Sequence, residues 1–544
     1  MMEIKLKIIK NKNWNSFRFQ GKKIWYAGDL DIIKKILIKF FNSQTLDIQI
    51  LKKILLKSDN KFSLIFMFDS KIICCTDIIR SYPIFYSKNN NKVIISNNDK
   101  ELINKSTCIK QKSLIDCFMS GYVHGNDTLY DNVKSMLPAE IIFSPRKFSH
   151  SLKIYKYFLY NFTIKKGKKK INSLNKELEI KFNKIIFKLI KKANGRQIVI
   201  PLSGGLDSRL ILCKLHQFKY RNIVSFTYGL KNNSDVKNAE IIAKSLGIKW
   251  RFIPFNKIKF RKYYYSNLKK EYDLFADNSL SLPNYQDVFF IKELLHEKYI
   301  KKNSIIVNGQ TGDFITGGHI PVSPEKKNFE YFKKEISSKH FFLFNKFNKL
   351  NMNEYLKVTI NDFIKKRNLV DPDYDDLIEL WNFEERQAKY IINGQRAYEF
   401  LNLDWYLPFW DSELIKFWNT VPNKFKVSQK LFKNYLETWN YNNLFTKKLN
   451  EAHAFTGVMS VFVRFFSILL NIFYPVINKK KILAYFDYYS RYGYMYNFFS
   501  LSYFLKNRSY IKNAFSLHTL KWLMDLGLKR EIEILNKKYR FLKI

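Results

Sequence analysis

The sequence predicts an α/β protein: a parallel, doubly wound sheet at its centre, a smaller α+β domain before it and a helical tail after it. Three observations predict this. Beyond about residue 174, short apolar runs alternate with helical apolar stripes. A glycine-rich string, Ser203-Gly204-Gly205-Leu206-Asp207-Ser208, stands where one such run gives way to a helix. A basic polar stretch, Lys165-Lys166-Gly167-Lys168-Lys169-Lys170, separates this region from an N-terminal part with different patterning.

In the N-terminal part, Phe62–Phe68 and Lys71–Thr76 are expected to be paired strands and Val93–Ser96 another. The apolar spacing of Leu30–Phe41 and Leu46–Leu56 predicts helices. After the basic stretch, Leu174, Leu178, Phe182, Ile185 and Leu189 form one helical stripe. Gln197–Leu202 is short and apolar, as a buried strand would be, and Ser208–His216 is expected to be helical. Ile223–Tyr228 predicts a strand, Val236–Leu246 a helix closed by Gly247, and Ser304–Asn308 a later strand. Alternation of this kind implies parallel strands, with ligands at their carboxyl ends. No internal repeat is evident.

The chain has 544 residues, too many for one ordinary core, and 46% of them are hydrophobic, enough to exclude disorder. Three domains are expected, at residues 1–160, 165–445 and 446–544. A formal charge of +47 raises the question of nucleic acid. The lysines are scattered rather than gathered in a stripe, so a specific nucleic-acid partner is not expected. Solvated surface lysine explains the charge, and contact with an anionic membrane or acidic glycan is compatible with it. The five cysteines, Cys74, Cys75, Cys108, Cys117 and Cys213, are odd in number and show no metal-type spacing with histidines. A reducing cytoplasm is therefore expected. Met1-Met2-Glu3-Ile4-Lys5 lacks a long apolar core and a small-residue cleavage site and is not expected to be a signal peptide.

The string at 203–208 suits a pyrophosphate. Gly204 and Gly205 remove side chains so that backbone N–H groups can approach phosphate oxygens, and the following helix start adds its positive dipole end. Ser203 and Ser208 can donate hydroxyl hydrogen bonds, and Asp207 can hold Mg²⁺. A lone Ser-Gly-Gly would be read as a connecting turn; the complete string after a buried strand is more specific.

The stretch PLSGGLDSR at Pro201–Arg209 resembles the loop of the ATP-pyrophosphatase superfamily. Further stretches resemble the asparagine synthetase family: Ser225–Trp250, Val307–His319 (VNGQTGDFITGGH), Leu407–Leu414 (LPFWDSEL) and Lys433–Leu436 (KNYL). More weakly, Thr76–Ser87 and Gly121–Glu140 resemble that family's glutaminase domain and the segment after it. The resemblance implies an adenine nucleotide alpha-hydrolase-like fold behind a degenerate Ntn-type domain. It implies that ATP and Mg²⁺ turn a small-molecule carboxylate into an acyl-adenylate, which ammonia then amidates. Asp207 and Asp313 would hold Mg²⁺. The backbone at Leu202, Tyr228, Asn308 and Gly309 would hold the nucleotide, with Gly229 beside the adenine. Lys433 would neutralise pyrophosphate, and Asp313, Lys433 and Gln310 would form the catalytic set.

Two departures from the family pattern matter. The family's glutaminase uses an N-terminal cysteine, but Met1-Met2-Glu3 offers none and no cysteine precedes Cys74. The family's glutamine-holding Asn-Gly-Glu is missing as well. Ammonia is thus expected from solution or from a separate glutaminase. In the second loop the family has Ser-Gly-Glu-Gly-Ser-Asp-Glu, where this chain has Asn308-Gly309-Gln310-Thr311-Gly312-Asp313-Phe314. Asp313 is kept, but both glutamates are replaced, which alters the acceptor pocket. Glu385–Asp411 is similar to asparagine-synthetase-like proteins of surface polysaccharide synthesis, so the acceptor is expected to be aspartate or a sugar uronate. The rival classes are a tRNA-modifying enzyme with the same loop and a non-catalytic homologue.

Other residues leave alternatives open. His319 adjoins the second loop and is either structural or substrate-facing. Arg386 and Arg396 either bind an anion or pair with Glu384, Glu399 or Asp404. Val458–Tyr474 is apolar with a polar stripe of Ser460, Arg464, Ser467 and Asn471. It suits a core helix, an interfacial membrane helix or, less well, a short span. Oligomeric state is not legible.

Overall fold

The computed structural model describes residues 2–89, 91–148, 152–164, 166–231, 233–322, 326–344, 350–446 and 498–541. The central sheet has five strands, all parallel, in the spatial order Lys249–Pro254, Ile223–Gly229, Ile198–Pro201, Ile305–Val307, Asp404–Tyr406. The expected strands and helices of this region are present with ends shifted by one or two residues, and the Leu206–Gln217 helix starts directly at the glycine string. The strand Ile198–Pro201 is apolar on both faces because helices cover both, and Ile198, Val199 and Ile200 are fully buried. The stripe Leu174, Leu178, Phe182, Ile185 and Leu189 is the buried face of the 23-residue helix Ile171–Ala193.

The strand order places the site. Ile198–Pro201 has Ile223–Gly229 on one side and Ile305–Val307 on the other, so the chain changes direction across the sheet there. Connections leaving the carboxyl ends of adjacent strands diverge at such a point and leave a crevice. The 203–208 loop and the 308–313 loop leave from the two strands that bound it.

The N-terminal part holds two sheets. One runs Ile154–Lys156, Glu140–Pro145, Lys71–Thr76, Phe62–Phe68, Lys22–Gly28, Trp14–Phe19 and is antiparallel throughout. The other has Met2–Lys7 parallel to Lys92–Ser96 within a five-stranded order. Helix Leu30–Phe41 buries Ile33, Ile36, Leu37 and Phe40, the spacing of one helical face, against the larger sheet. The second helix begins at Ile48, later than expected, because Asp47 caps it by accepting from the Gln49 and Ile50 N–H groups.

The described part of the tail is helical, at Leu501–Asn507, Ala514–Asp525 and Lys529–Tyr539. It packs on both preceding regions: His518 Nδ1 lies 2.8 Å from the Tyr264 hydroxyl, and the Phe541 ring lies 4.7 Å from Phe118. Val458–Tyr474 lies outside the described residues. Among the described residues, no helix is long and apolar enough to cross a membrane.

Candidate active site

The two loops meet in a cavity of about 240 Å³. Ser203, Gly205, Asp207, Ser208, Tyr228, Asn308, Gly309 and Gln310 all line it. Residues separated by a hundred positions in sequence thus share one wall because their strands are neighbours.

The first loop is held by its own hydroxyls. The Ser203 N–H donates to Ser208 Oγ at 3.1 Å, and the Gly205 N–H points to Ser203 Oγ at 3.3 Å. Arg209, fully buried beneath, donates to the Gly204 carbonyl and to the Leu444 carbonyl. No side chain caps the Leu206–Gln217 helix, whose N-cap is Gly205, so its first N–H groups remain for a ligand. The two glycines have different jobs. Gly205 is exposed in the cavity, but Gly204 is buried, and a Cβ there would lie 2.9 Å from Asp235 Oδ1. Helix packing therefore fixes Gly204. Leu202 is buried below the loop, with its N–H bonded to Phe226 and its carbonyl accepting from Thr227 Oγ1 at 2.6 Å. Only that carbonyl's second lone pair is open. Gly229 adjoins the cavity residue Tyr228 but does not line the cavity itself.

The second loop presses on Asp207. A Cβ at Gly309 would lie 2.7 Å from the Asp207 Cβ, and one at Gly312 would lie 2.4 Å from its Cγ. Thr311, between them, is held at φ 73°, a conformation that costs a β-branched residue free energy, and its hydroxyl donates to Gln387 Oε1 at 3.0 Å. Asp207 Oδ1 is buried without a hydrogen-bond partner. Burial, and then the charge of Asp313, push the Asp207 carboxyl well above the usual carboxylate range. At Asp313 desolvation also pushes up, but the His319 hydrogen bond, the charge of Arg386 and the Phe314 N–H outweigh it and hold the carboxyl low.

His319 is a clamp. Its Nε2 lies 2.9 Å from Asp313 Oδ2 and its Nδ1 lies 2.9 Å from Asn382 Nδ2. An amide N–H facing Nδ1 requires Nδ1 to accept, so Nε2 carries the proton donated to Asp313. Gln310 accepts from Gln395 Nε2. Lys433 is exposed on the Lys430–Trp439 helix and does not line the cavity. That helix nonetheless starts against the second loop, where Gln429 Nε2 donates to Thr316 Oγ1 at 2.7 Å.

Two cavity residues escaped the sequence reading. Asp287 accepts from the Tyr228 hydroxyl at 2.9 Å, the Tyr398 hydroxyl at 3.1 Å and Asn284 Nδ2 at 3.0 Å. Burial raises its pKa despite these bonds. Asn308 Nδ2 donates to the Tyr398 hydroxyl at 3.3 Å, so one hydrogen-bonded chain joins the ends of two strands. Of the two arginines, Arg396 is committed to the fold: it pairs with Glu399 at 2.8 Å and donates to the Ser81 carbonyl at 2.9 Å. Arg386 has no such partner among the described residues.

Two glycine-rich loops at neighbouring parallel strand ends, meeting over a carboxylate pair, define a nucleotide-binding domain with the ATP-pyrophosphatase fold. Residues 194–439 match the family model described as asparagine synthase, so this part of the chain is an asparagine synthase-like domain. The family is one of ATP-dependent amide-forming ligases. Among solved structures, the NH3-dependent NAD synthetase from Campylobacter jejuni subsp. jejuni NCTC 11168, in complex with the nitrate ion, is 17% identical. That alignment covers 42% of this chain and 96% of the other, with a TM-score of 0.22. No curated protein matches.

Proposed function

We propose that the protein is an ATP- and Mg²⁺-dependent ligase that converts a carboxylate to its amide with ammonia. The observation that supports this best is the buried, unpartnered Asp207 Oδ1 beside Asp313 at the mouth of an uncapped helix. An orphaned carboxylate oxygen next to a second carboxylate suits a divalent cation. No group of three or more metal-ligating side chains occurs among the described residues. That suits Mg²⁺, which is commonly held by one or two carboxylates plus substrate phosphates. Asp207 and Asp313 would hold it, and when bound it would offset phosphate charge.

In the proposed reaction a carboxylate oxygen of the acceptor attacks the α-phosphorus of ATP, and the bond to the pyrophosphate oxygen breaks. Ammonia then attacks the acyl carbon of the adenylate. The C–O bond to AMP breaks and the surplus ammonium proton is released. The free N–H groups at the start of the Leu206–Gln217 helix, with Ser203 and Ser208, would hold phosphate oxygens. Tyr228, Asn308 and Gly309 would hold the nucleoside, and Lys433 would reach the departing pyrophosphate. His319 keeps Asp313 ionised and oriented. Gln310, tied to Gln395, would face the acceptor, which we read as aspartate or a sugar uronate.

The N-terminal domain is proposed to be a glutaminase relic. Cys74 and Cys75 are fully buried in the middle of an antiparallel sheet, and burial pushes both thiols up, away from the nucleophilic thiolate. Pyrophosphate release from ATP, screened over carboxylates with ammonia and with glutamine, tests the whole reading. Release that depends on a carboxylate and on ammonia supports it, and release supported equally by glutamine removes the relic.

A further inference from the structure

The helix Tyr374–Trp381 continues as a π-helix over Asn382–Ile391. The Ile392 N–H there bonds to Gln387, five residues back. π-Helical segments are rare and cluster at functional sites. With this spacing, residues four and five apart are neighbours across one turn, so Arg386 and Gln387 flank the position one turn beyond Asn382. Both of these neighbours of Arg386 grip the second loop: Asn382 bonds His319 at 2.9 Å, and Gln387 accepts from Thr311 at 3.0 Å. Gln387 also donates to Asn382 Oδ1 at 3.2 Å, which locks the turn.

The charged residues flanking Arg386 are paired, although Glu385 Oε1 is buried without a hydrogen bond. Glu384 pairs with Lys156 at 2.8 Å and with Arg367, and Glu385 pairs with Lys389 at 2.6 Å and accepts from the Gly125 N–H at 2.9 Å. Arg386, half-buried, has neither hydrogen bond nor ion pair among the described residues. Its charge reaches the Asp313 carboxylate and the phenols of Tyr122 and Tyr390, whose rings stack 6.0 Å apart. A guanidinium fixed on a rigid turn and left without a partner is arranged for a planar anion, which it can bind with two parallel N–H bonds.

Resting on the ligase reading above, we propose that Arg386 holds a carboxylate of the acceptor and so determines which acceptors are used. The position favours acceptor over nucleotide. Arg386 does not line the cavity formed by the Ser203 loop, Tyr228 and Asn308–Gln310. Its neighbours Gln387 and Asn382 are tied to the part of the second loop that follows Gln310, at Thr311 and His319. The loop offers it no internal partner, since Gln310 is neutral, Phe314 is apolar and Asp313 is engaged by His319.

Chemical protection tests this without requiring turnover. The full chain, with Mg²⁺ and α,β-methylene-ATP, is treated with phenylglyoxal, and modification of Arg386 is followed by peptide mass spectrometry. L-Aspartate, D-glucuronate and inorganic pyrophosphate are added separately. The proposal expects L-aspartate or D-glucuronate to slow modification at least about threefold and pyrophosphate to do so less. Protection by neither carboxylate, or stronger protection by pyrophosphate, overturns it. Binding of the ATP analogue, measured by calorimetry, is a separate readout: its absence would sink the ligase reading whatever the protection result. In turnover, Arg386→Gln should raise the KM of the working carboxylate at least about tenfold while the KM for ATP stays within about twofold. Arg386→Lys should restore part of the loss, and equal loss toward ATP would contradict the assignment.

Discussion

Gly312 lies so close to Asp207 that a Cβ on Gly312 would sit 2.4 Å from the Asp207 Cγ and 2.5 Å from its Oδ1. The approach of one loop to the carboxylate of the other is thus set by a missing side chain. Gly312→Ala should push the second loop away from Asp207 and weaken Mg²⁺-ATP binding by at least about tenfold, with a modest loss of stability. Calorimetric titration and a thermal melt check this together. Unchanged affinity would mean that the loop contact does not shape the nucleotide site.

The chain from Tyr228 through Asp287 and Tyr398 to Asn308 suggests a second variant. Tyr398→Phe removes one donor to Asp287 and the acceptor of Asn308 Nδ2. The folded state should lose about 1–2 kcal/mol, because buried polar atoms are left unpaired. Nucleotide affinity should fall as well, since Asn308 lines the cavity. A urea titration and a nucleotide-binding isotherm measure the two effects, and loss of stability alone would make the chain purely structural.

The first loop was legible because its chemistry is contiguous: a buried strand, a glycine pair and an acidic residue at a helix start stand side by side in the sequence. The parallel sheet followed from the alternation of apolar runs. Asp287 and Tyr398 were not legible, because each reaches the cavity from a helix of its own, and only packing brings them within hydrogen-bond reach of Tyr228 and Asn308. Nor was the π-helix. Its turns make neighbours of residues four and five apart, and Asn382, Arg386 and Gln387 read as unrelated polar residues until that spacing is known. The choice left open at Arg396 was settled by Glu399 three residues on, a pair that the sequence permitted without requiring.

A pH-dependent test concerns Lys61. Its ammonium donates to the Trp405 carbonyl and lies 4.0 Å from the centre of that indole ring. Burial lowers its pKa from 10.5 to about 7. Between those values the unfolded chain holds this proton and the folded chain does not, so stability rises with pH across that window. Below about pH 7 both states are charged and the cost of burial is fully present. Lys61→Met removes the charge, so its stability relative to the wild type should be most favourable at pH 6 and decline toward pH 10. Urea midpoints of both proteins at pH 6, 8 and 10 report the trend. A difference that stays constant would mean that Lys61 does not titrate in this window.

The cysteines give a prediction about glutamine. Cys108 is exposed, whereas Cys74, Cys75, Cys117 and Cys213 are buried, and burial lifts the Cys213 thiol to about 12. Iodoacetamide should therefore modify Cys108 first in the folded protein and leave ammonia-dependent turnover intact. Purified protein should release no glutamate from glutamine, with or without ATP. Robust release that iodoacetamide blocks would show a working thiol glutaminase and would remove the relic reading.

The central claim, that the two loops activate a carboxylate with ATP, is tested most directly by pyrophosphate release in the wild type and in Asp207→Ala. The assay contains Mg²⁺, ATP, ammonia and a panel of carboxylates that includes L-aspartate and D-glucuronate. The account predicts Mg²⁺-dependent release with at least one carboxylate, and a loss of at least about a hundredfold in Asp207→Ala while its circular dichroism and melting transition stay close to wild type. Wild-type release in the variant would place the chemistry elsewhere and contradict the account.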